Sequence, residues 1–333
     1  MLSEFEWIDR YLSPLSGDKE GTFGLRNDGA VIRHNAEDEI VVTSDTLIEG
    51  VHFLSGEPPG DIAQKALRVN ISDLAAMGAR PLAYTLNLSL SGKEDTEFIE
   101  DFCFGLGKDQ KTFGLYLMGG DTTICRREGF PLTISMTLFG TCHKGAEWGR
   151  NGAQPGDICL VTGAIGEALL GLKIRSGELS CPDAGLRERL ISRHICPQPR
   201  TAVTFFKNSP AIHAAIDVSD GLLADLGHIC VQSGVSINVH LSDLPIEEDV
   251  LDFCARSDIS VTDLVTGGDD YELILAMPGD EAQKMIESCA QQGVNVKAIG
   301  RFKSAEADTE FPARLLNEAG EDVTPQKRGW AHF

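Results

Sequence analysis

The sequence predicts a two-domain α/β protein, and three observations support this fold class. Apolar runs typical of strands alternate along the chain with segments of helical periodicity. At 333 residues the chain is longer than the roughly 100–150 residues that one hydrophobic core usually serves. A stretch rich in glycine and polar residues, 144–157, separates the two halves. We therefore predict an N-terminal domain over residues 1–145 and a C-terminal α/β domain over residues 146–333.

The first half carries the signals of strands around one long helix. Residues 39–44 form an apolar run, and residues 61–77 have apolar side chains at helical spacing before Gly78, a residue that commonly ends a helix. Residues 82–90 and 132–139 alternate apolar and polar side chains, which predicts strands with one polar face. A short strand over residues 115–118 is also expected.

The second half repeats the alternation with more elements. Strands are predicted over residues 158–162, 214–218, 235–240, 271–276 and 294–300. Helices are predicted over residues 165–176 and 184–194 and from Gly221 onward.

Charge and composition exclude several function classes. Lys and Arg number 29 against 50 Asp and Glu, so the net charge is −21 and a nucleic-acid groove is not expected. An anionic ligand would need metal cations to mediate its contact with such a protein. No stretch approaches the ~20 apolar residues of a membrane span, and the N-terminus lacks a secretory signal, so we expect a soluble, cytoplasmic protein. The nine cysteines form no CxxC pair, which argues against zinc and disulfide frameworks.

Aspartates recur where apolar strands or glycine turns end. The five segments are Asn27-Asp28-Gly29, Thr43-Ser44-Asp45, Gly119-Gly120-Asp121, Asp217-Val218-Ser219-Asp220 and Gly268-Asp269-Asp270, and Asp73 lies on the predicted helix. Ligands bind at the carboxyl ends of strands in open α/β sheets. Converging carboxylates repel one another, and oxygen ligands suit Mg²⁺ bound together with substrate phosphates. Each aspartate alone is more often a helix cap or turn former, and only their joint occurrence favours a site.

Other nucleotide and hydrolase devices are missing from the sequence. There is no GxxxxGK[ST], GxGxxG or GxSxG motif, so a P-loop, a Rossmann turn and a serine-hydrolase elbow are not expected. His52 is compatible with a structural role as well as with a ligand contact.

These segments together resemble the thiamine-monophosphate kinases. The resemblance rests on Thr43-Ser44-Asp45-Thr46-Leu47 with His52-Phe53, Asn70-Ile71-Ser72-Asp73-Leu74, Gly119-Gly120-Asp121-Thr122-Thr123, Asp217-Val218-Ser219-Asp220-Gly221 and Gly268-Asp269-Asp270-Tyr271-Glu272-Leu273, with the ending Gly329-Trp330. It implies a two-domain aminoimidazole ribonucleotide synthetase-like fold. In that fold the N-terminal ATP- and metal-binding domains pair their sheets into the barrel of a homodimer, and ATP with several Mg²⁺ ions sits in the cleft.

The resemblance also implies a role for individual residues. Metal ligands would be Asp28, Thr43, Ser44, Asp45, Asp73, Asp121, Asp217 and Asp220. Contacts with ATP would come from Gly120, Arg150 and Ser219. The thiamine monophosphate would face His52, Asp269 and Trp330. The chain departs from the family pattern in having Arg26-Asn27-Asp28 for Gly-Asp-Asp, Asp269 for Glu and Trp330 for Tyr.

The implied activity is in-line transfer of the γ-phosphoryl group of ATP to thiamine monophosphate, giving thiamine diphosphate. One alternative is another ATP-using enzyme of the same superfamily, although no cysteine precedes Cys103 to serve as the nucleophile of a selenophosphate synthetase. The other alternative is a non-catalytic regulator that binds nucleotide or metal.

Overall fold

The protein is described here by a computed structural model that covers residues 8–17, 19, 22, 25, 30–32, 34–205, 212–305 and 311–330. The chain divides into two compact units. The first comprises Met1–Leu74 with Ala79–Glu147, and the second comprises Ala75–Gly78 with Trp148–Phe333.

The first unit is built on a four-stranded sheet. Its elements, in chain order, are a π-helical turn Ile8–Leu12, a 3-10 turn Ser13–Ser16, β1 Asp38–Ile48, α1 Pro59–Ala76, β2 Arg80–Leu90, α2 Thr96–Phe113, β3 Tyr116–Ile124 and β4 Thr133–His143. The strand order is β1-β4-β2-β3, with β2 and β3 parallel and the other pairs antiparallel. A mixed sheet of this kind needs the helix α2 as the crossover between its parallel strands.

The two helices of the first unit pack closely on each other. A Cβ atom on Gly105 of α2 would lie 2.3 Å from the carbonyl oxygen of Gly60 on α1, so only glycine permits this approach. Arg68 of α1 makes a bidentate ion pair with the fully buried Asp109 of α2, at 2.6 and 2.9 Å. Pairing and hydrogen bonding offset the cost of burying these charges.

The second unit contains a six-stranded sheet with helices on both faces. Its elements are β5 Ile158–Thr162, α3 Glu167–Arg175, α4 Ala184–Ile195, a 3-10 turn Thr201–Phe205, β6 Ala214–Asp217, α5 Leu222–Ser233, β7 Val235–His240, a 3-10 turn Leu241–Asp243, α6 Glu248–Ser257, α7 Val261–Leu264, β8 Leu273–Met277, α8 Gly279–Gln291, β9 Val296–Ser304 and β10 Ala313–Leu316. The strand order is β10-β7-β9-β5-β8-β6. Of its strand pairs, β10 and β7 are parallel and the other four are antiparallel.

Strand β8 shows why this sheet lies in the centre of its unit. Ile274 and Ala276 belong to a cluster with α5, whereas Leu275 and Met277 belong to a cluster with α8. Alternate side chains of a strand point to opposite faces, so both faces are covered. The predicted C-terminal α/β architecture is thereby confirmed.

Two strands of the first unit differ from the prediction in a way that affects the candidate site. β1 continues to Ile48 and β3 to Ile124, so Asp45 and Asp121 lie within strands, and the prediction that they follow strand ends is wrong. The strands β5 and β7 have the predicted bounds, and β6 ends at Asp217. Helices α2, α6, α7 and α8 and strand β10 were not predicted.

The nine cysteines, all within the described ranges, are thiols outside any disulfide, and seven of them are buried. Burial raises the pKa of Cys103 and of Cys230 to about 12, and that of Cys289 to about 11. These thiols therefore stay protonated at neutral pH. Across the described ranges, no helix combines the length and the apolar character that a membrane span requires.

Candidate active site

Two carboxyl groups and a hydroxyl group meet beside β1 in the first unit. The Oγ1 atom of Thr43 donates a hydrogen bond of 2.5 Å to Oδ2 of Asp73, and the side chains of Asp73 and Asp45 are also hydrogen-bonded. Burial raises the pKa of Asp45, partly offset by this hydrogen bond and by the nearby charge of His52. Two acidic groups in such contact are stable when they share a proton or bind a cation.

His52 lies in the turn that follows β1. Its Nδ1 atom accepts a hydrogen bond from the backbone N–H of Ile48 at 3.1 Å, so in the neutral ring the proton is on Nε2. The structure brings His52 near Asp45, and its predicted contact with the acceptor phosphate stays a prediction.

Ser44 points to the opposite face of the sheet from Thr43 and Asp45. Its Oγ atom donates to the carbonyl of Met136 and lies 3.0 Å from Oγ1 of Thr137 on β4. Side chains alternate along a strand, so the hydroxyl of Ser44 is not brought to the Asp45–Asp73 pair. Its role as a metal ligand stays a prediction.

Asp121 is exposed on β3, where the register aligns it with Asn87 of β2. The same row continues through Ser135 of β4 to Thr46 of β1, which is on the face of Ser44. Gly120 precedes it with a φ of 155°, and a Cβ atom there would lie 1.8 Å from the carbonyl oxygen of Leu86. Glycine is thus required for the pairing of these strands.

Not all predicted ligands come together. Asp28 lies outside the described residues. Within the ranges that the structure describes, no group of three or more His, Cys, Asp or Glu side chains could hold a metal ion. The side chains of Thr43, Asp45 and Asp73 nevertheless form a set of oxygen donors, the type that Mg²⁺ prefers.

The second unit places the other candidate ligands in the loop between β6 and α5, which we call the aspartate loop and define as Asp217–Gly221. Asp217 is buried at the end of β6, whereas Ser219 and Asp220 are partly exposed. The buried Oδ2 atom of Asp225 accepts the backbone N–H groups of Ser219, Asp220 and Gly221 at 3.1, 3.1 and 3.2 Å. One carboxylate thus fixes the path of the loop.

The pKa of Asp225 is raised to about 7. Burial is the main cause and the nearby charge of Asp220 adds to it, while the backbone N–H groups and the charge of Arg150 lower the pKa. Arg150, predicted to contact ATP, is exposed and lies close enough to act on this carboxylate. A cationic side chain next to the aspartate loop suits an anionic ligand.

The segment that carries Asp269 runs beside the aspartate loop in an unusual conformation. Asp269 and Tyr271 have φ values of 72° and 50°. These lie in the left-handed region of backbone conformation, which residues other than glycine seldom adopt. Their backbone N–H groups donate to the carbonyls of Ser219 and Val218 at 2.9 and 2.8 Å. Such backbone conformations persist only where surrounding contacts stabilise them, and they are common at functional sites.

Two buried acids on the same segment supply those contacts. Asp270 accepts the backbone N–H groups of Gly166 and Ala168 at the start of α3, at 2.8 and 3.4 Å. Glu272 accepts a hydrogen bond of 2.7 Å from Thr162 and forms a bidentate ion pair with Arg200. Both residues are structural anchors in the described chain.

The carboxylate of Asp269 faces side chains from its own unit. Its Oδ2 atom lies 3.3 Å from Nδ1 of the buried His194, without the alignment of a hydrogen bond, and Oδ1 accepts from Tyr271 at 3.4 Å. Asp269 is about one third exposed, so its remaining surface is open to a ligand.

Trp330 is more than half exposed, near the C-terminus. Its backbone N–H donates to the carbonyl of Asp220 at 2.9 Å, and Nζ of Lys327 lies 5.8 Å from the ring centroid. An exposed aromatic ring of this kind can stack on a planar or cationic ligand.

Asp225 was missed by the reasoning from sequence, and Asp270 and Glu272 were named only as members of a motif, without an assigned role. Asp225 follows the aspartate loop by one helical turn, a spacing that can indicate a carboxylate accepting the N–H groups of a helix start. Asp270 and Glu272 were visible as acids in an otherwise apolar context, but their partners lie about a hundred residues earlier along the chain.

Two family models and a curated relative match this chain over most of its length. Residues 26–142 match the model of the AIR synthase related protein, N-terminal domain, and residues 154–310 match that of the C-terminal domain. The chain is 36% identical over 335 aligned residues to the thiamine-monophosphate kinase of Caulobacter vibrioides, covering 99% of this chain and 91% of that protein.

Two solved structures are similar over nearly their full length. The thiamine-monophosphate kinase of Stenotrophomonas maltophilia K279a has 34% identity and a TM-score of 0.83, covering 96% of this chain and 98% of that one. AaThiL complexed with AMPPCP and TMP has 27% identity and a TM-score of 0.76, covering 92% and 91%.

Proposed function

This chain belongs to the thiamine-monophosphate kinase family of AIR synthase related proteins, and we propose that it phosphorylates thiamine monophosphate to thiamine diphosphate with ATP. The observation that carries the proposal is the arrangement around the aspartate loop. Asp269 and Trp330, the residues proposed for the acceptor, are hydrogen-bonded directly to the segment that carries Ser219 and Asp220. A relative that aligns with 92% of this chain binds AMPPCP and TMP.

The reaction breaks the bond between the β- and γ-phosphates of ATP and joins the γ-phosphoryl group to a terminal phosphate oxygen of thiamine monophosphate, releasing ADP. That oxygen is already anionic at neutral pH, so no strong general base is needed. Phosphoryl transfer depends mainly on in-line positioning and on neutralising charge. Residues proposed to position ATP are Gly120, Arg150 and Ser219, and those proposed for the acceptor are His52, Asp269 and Trp330.

We propose Mg²⁺ as the metal, in several ions. The proposed ligands are Asp28, Thr43, Ser44, Asp45, Asp73, Asp121, Asp217 and Asp220. The contact between Asp45 and Asp73 supports this, because a cation removes the repulsion between two ionised carboxylates. Bound Mg²⁺ supplies charge neutralisation on the phosphate oxygens. The acidic side chains would hold the Mg²⁺ ions. The buried carboxylate of Asp225 fixes the backbone of the aspartate loop, which carries the proposed ligands Asp217 and Asp220.

The same proposal includes the assembly and the domain roles. Residues 1–145 form the ATP- and metal-binding domain, which pairs through its sheet into a homodimer, and residues 146–333 form the C-terminal domain. The exposed apolar side chain of Val42, on the edge strand β1, supports an interface on the sheet face that also carries Ser44. A cytoplasmic location stays a prediction.

The test is an acceptor panel. Purified protein is incubated with ATP, Mg²⁺ and one acceptor at a time: thiamine monophosphate, free thiamine, or another phosphorylated compound. The products are separated by chromatography. We expect ADP and thiamine diphosphate, with free thiamine a poor acceptor because it lacks the anionic oxygen. ADP formation only with a formylglycinamidine ribonucleotide would favour another enzyme of the superfamily. Nucleotide binding without any turnover would favour the regulator.

A further inference from the structure

Two glycine-containing pairs pack on the aspartate loop in the same way. Gly268 precedes Asp269 and Gly329 precedes Trp330. The N–H of Asp269 donates to the carbonyl of Ser219, and the N–H of Trp330 donates to the carbonyl of Asp220, both at 2.9 Å. Two consecutive carbonyls of the loop thus hold the two acceptor residues.

Both glycines are required by close approach and not by backbone conformation. Neither has a φ in the left-handed region. A Cβ atom on Gly268 would lie 2.4 Å from the carbonyl oxygen of Ser219, and one on Gly329 would lie 2.7 Å from that of Asp220. Contacts that short force the backbone apart, so any side chain there would weaken the neighbouring hydrogen bond.

The loop itself is held independently of these two contacts. Asp225 binds three of its N–H groups, and the N–H of Val218 donates to the carbonyl of Glu272. Displacing the segment of Gly329 and Trp330 therefore leaves the loop in place. The effect of a side chain at Gly329 should be confined to the acceptor residue and to its connection with the loop.

From this geometry we infer that Gly268 and Gly329 are positioning residues that couple acceptor binding to nucleotide binding. The inference rests on the proposed function. Ser219 is proposed to contact ATP, and its carbonyl accepts the N–H of Asp269. Asp220 is proposed to bind Mg²⁺, and its carbonyl accepts the N–H of Trp330. Binding of Mg²⁺ and nucleotide to Ser219 and Asp220 acts through these two carbonyls on Asp269 and Trp330, and acceptor binding acts back on Ser219 and Asp220 through the same hydrogen bonds. Such coupling is reciprocal by thermodynamic necessity.

The experiment compares Gly329→Ala with the wild type and with Gly185→Ala. Gly185 lies on the exposed face of α4, where a Cβ atom would make only an ordinary contact at 3.5 Å from Asp183. Binding of thiamine monophosphate is measured by calorimetry with and without Mg²⁺ and AMPPCP, and KM and kcat are measured for both substrates. In the wild type we expect the nucleotide to tighten acceptor binding at least about fivefold.

For Gly329→Ala we expect the KM for thiamine monophosphate to rise at least about tenfold. The nucleotide should then change acceptor affinity by less than about twofold, while AMPPCP affinity without acceptor stays within about twofold of the wild type. Gly185→Ala should match the wild type in all of these. Gly268→Ala should behave as Gly329→Ala does, through Asp269.

A rescue variant separates positioning from misfolding. A Cβ atom on Gly329 would also lie 2.5 Å from Cβ of Ala224, so Ala224→Gly removes one of its two clashes. Ala224→Gly/Gly329→Ala should recover part of the lost acceptor affinity, measured against Ala224→Gly alone. If Gly329→Ala unfolds, this double variant and Gly268→Ala take its place. A wild type that turns over thiamine monophosphate without coupling, or glycine variants that keep normal KM and coupling, would overturn the inference. Failure of the wild type to turn over would instead refute the proposed function.

Discussion

The carboxylate of Asp225 accepts the backbone N–H of Asp220 at 3.1 Å, five residues back along the chain. The same oxygen also binds the N–H groups on either side, so one buried atom fixes three consecutive peptides. Positions of the candidate ligands in this loop therefore depend on a residue that need not contact any ligand itself.

Replacing Asp225 with alanine leaves three N–H groups without their acceptor. We expect kcat to fall at least about tenfold and the free energy of unfolding to drop by about 2–3 kcal/mol. Asp225→Asn keeps one acceptor oxygen, so its kcat and its free energy of unfolding should lie between those of Asp225→Ala and the wild type. Asp95→Ala is the control, because Asp95 caps α2 through the N–H of Phe98 and should cost about 1 kcal/mol with normal kcat. Equal kcat values in Asp225→Ala and Asp95→Ala would contradict the positional role.

Replacing Asp121 with asparagine keeps size and hydrogen bonding but removes a charge proposed to hold Mg²⁺. We expect kcat to fall at least about a hundredfold, or ~2.7 kcal/mol of transition-state stabilisation, with metal-free stability unchanged or higher. Asp183→Asn is the control. Asp183 caps α4 by accepting the N–H of Leu186, and its replacement should cost some stability and leave kcat within about twofold. An Asp121→Asn protein that is destabilised but fully active would refute the assignment.

Removal of metal tests the proposed Mg²⁺ directly. EDTA should abolish turnover and added Mg²⁺ should restore it. Because ligands that bind only the native state stabilise it by mass action, saturating Mg²⁺ with ATP should also raise the Tm. A Tm indifferent to both, measured by differential scanning fluorimetry, would count against a metal site built from these carboxylates.

Breaking the ion pair of Arg200 and Glu272 should be more harmful than removing it entirely. Arg200→Met leaves a buried carboxylate without its counter-charge, and we expect a loss of about 3–5 kcal/mol in denaturant unfolding. Arg200→Met/Glu272→Met should lose less than the single variant. Lys284→Met is the surface control, because Lys284 is largely exposed and solvent screening leaves its pair with Glu281 little effect on stability. Additive losses in the double variant would contradict this account.

Stability should depend on pH through Asp270. Burial raises the pKa of Asp270 well above its ordinary value, so the folded protein keeps a proton that the unfolded chain has already released. Stability of the wild type is therefore lost as pH rises above the unfolded pKa of about 4. Asp270→Asn does not titrate, so its stability relative to the wild type should improve between about pH 5 and pH 8. Chemical unfolding at both pH values measures this, and a constant difference would refute it.

Features that depend on neighbouring residues could be predicted from the sequence, whereas features that depend on distant segments could not. Strand β7 and the start of helix α4 at Ala184 follow from local patterns, and both were predicted correctly. Asp45 was expected after a strand because polar residues interrupt the apolar run. Pairing of Asp45 with Met136 on β4 continues the strand, and that ladder depends on a segment ninety residues away.

The conformation at Asp269 and Tyr271 was also beyond the reach of sequence patterns. Left-handed backbone at residues other than glycine is stabilised here by Asp270 and Glu272, whose partners belong to β5, the start of α3 and Arg200. Such anchoring depends on tertiary contacts, whereas the motif shows only that several acids occur together. Reasoning from sequence could therefore identify the segment as important but not divide its residues into ligand contacts and anchors.

The burial of seven cysteines has a practical consequence for spectroscopy. Only Cys125, next to β3 in the first unit, and Cys196, at the end of α4 in the second, are partly exposed. Thiol-directed reagents react with accessible thiolates, so these two sites should be labelled first without any cysteine being removed. A spin label or a fluorophore on each would place one probe in each unit of the native protein. Distances between the probes, recorded with and without nucleotide, would then show directly whether the two units move during the catalytic cycle.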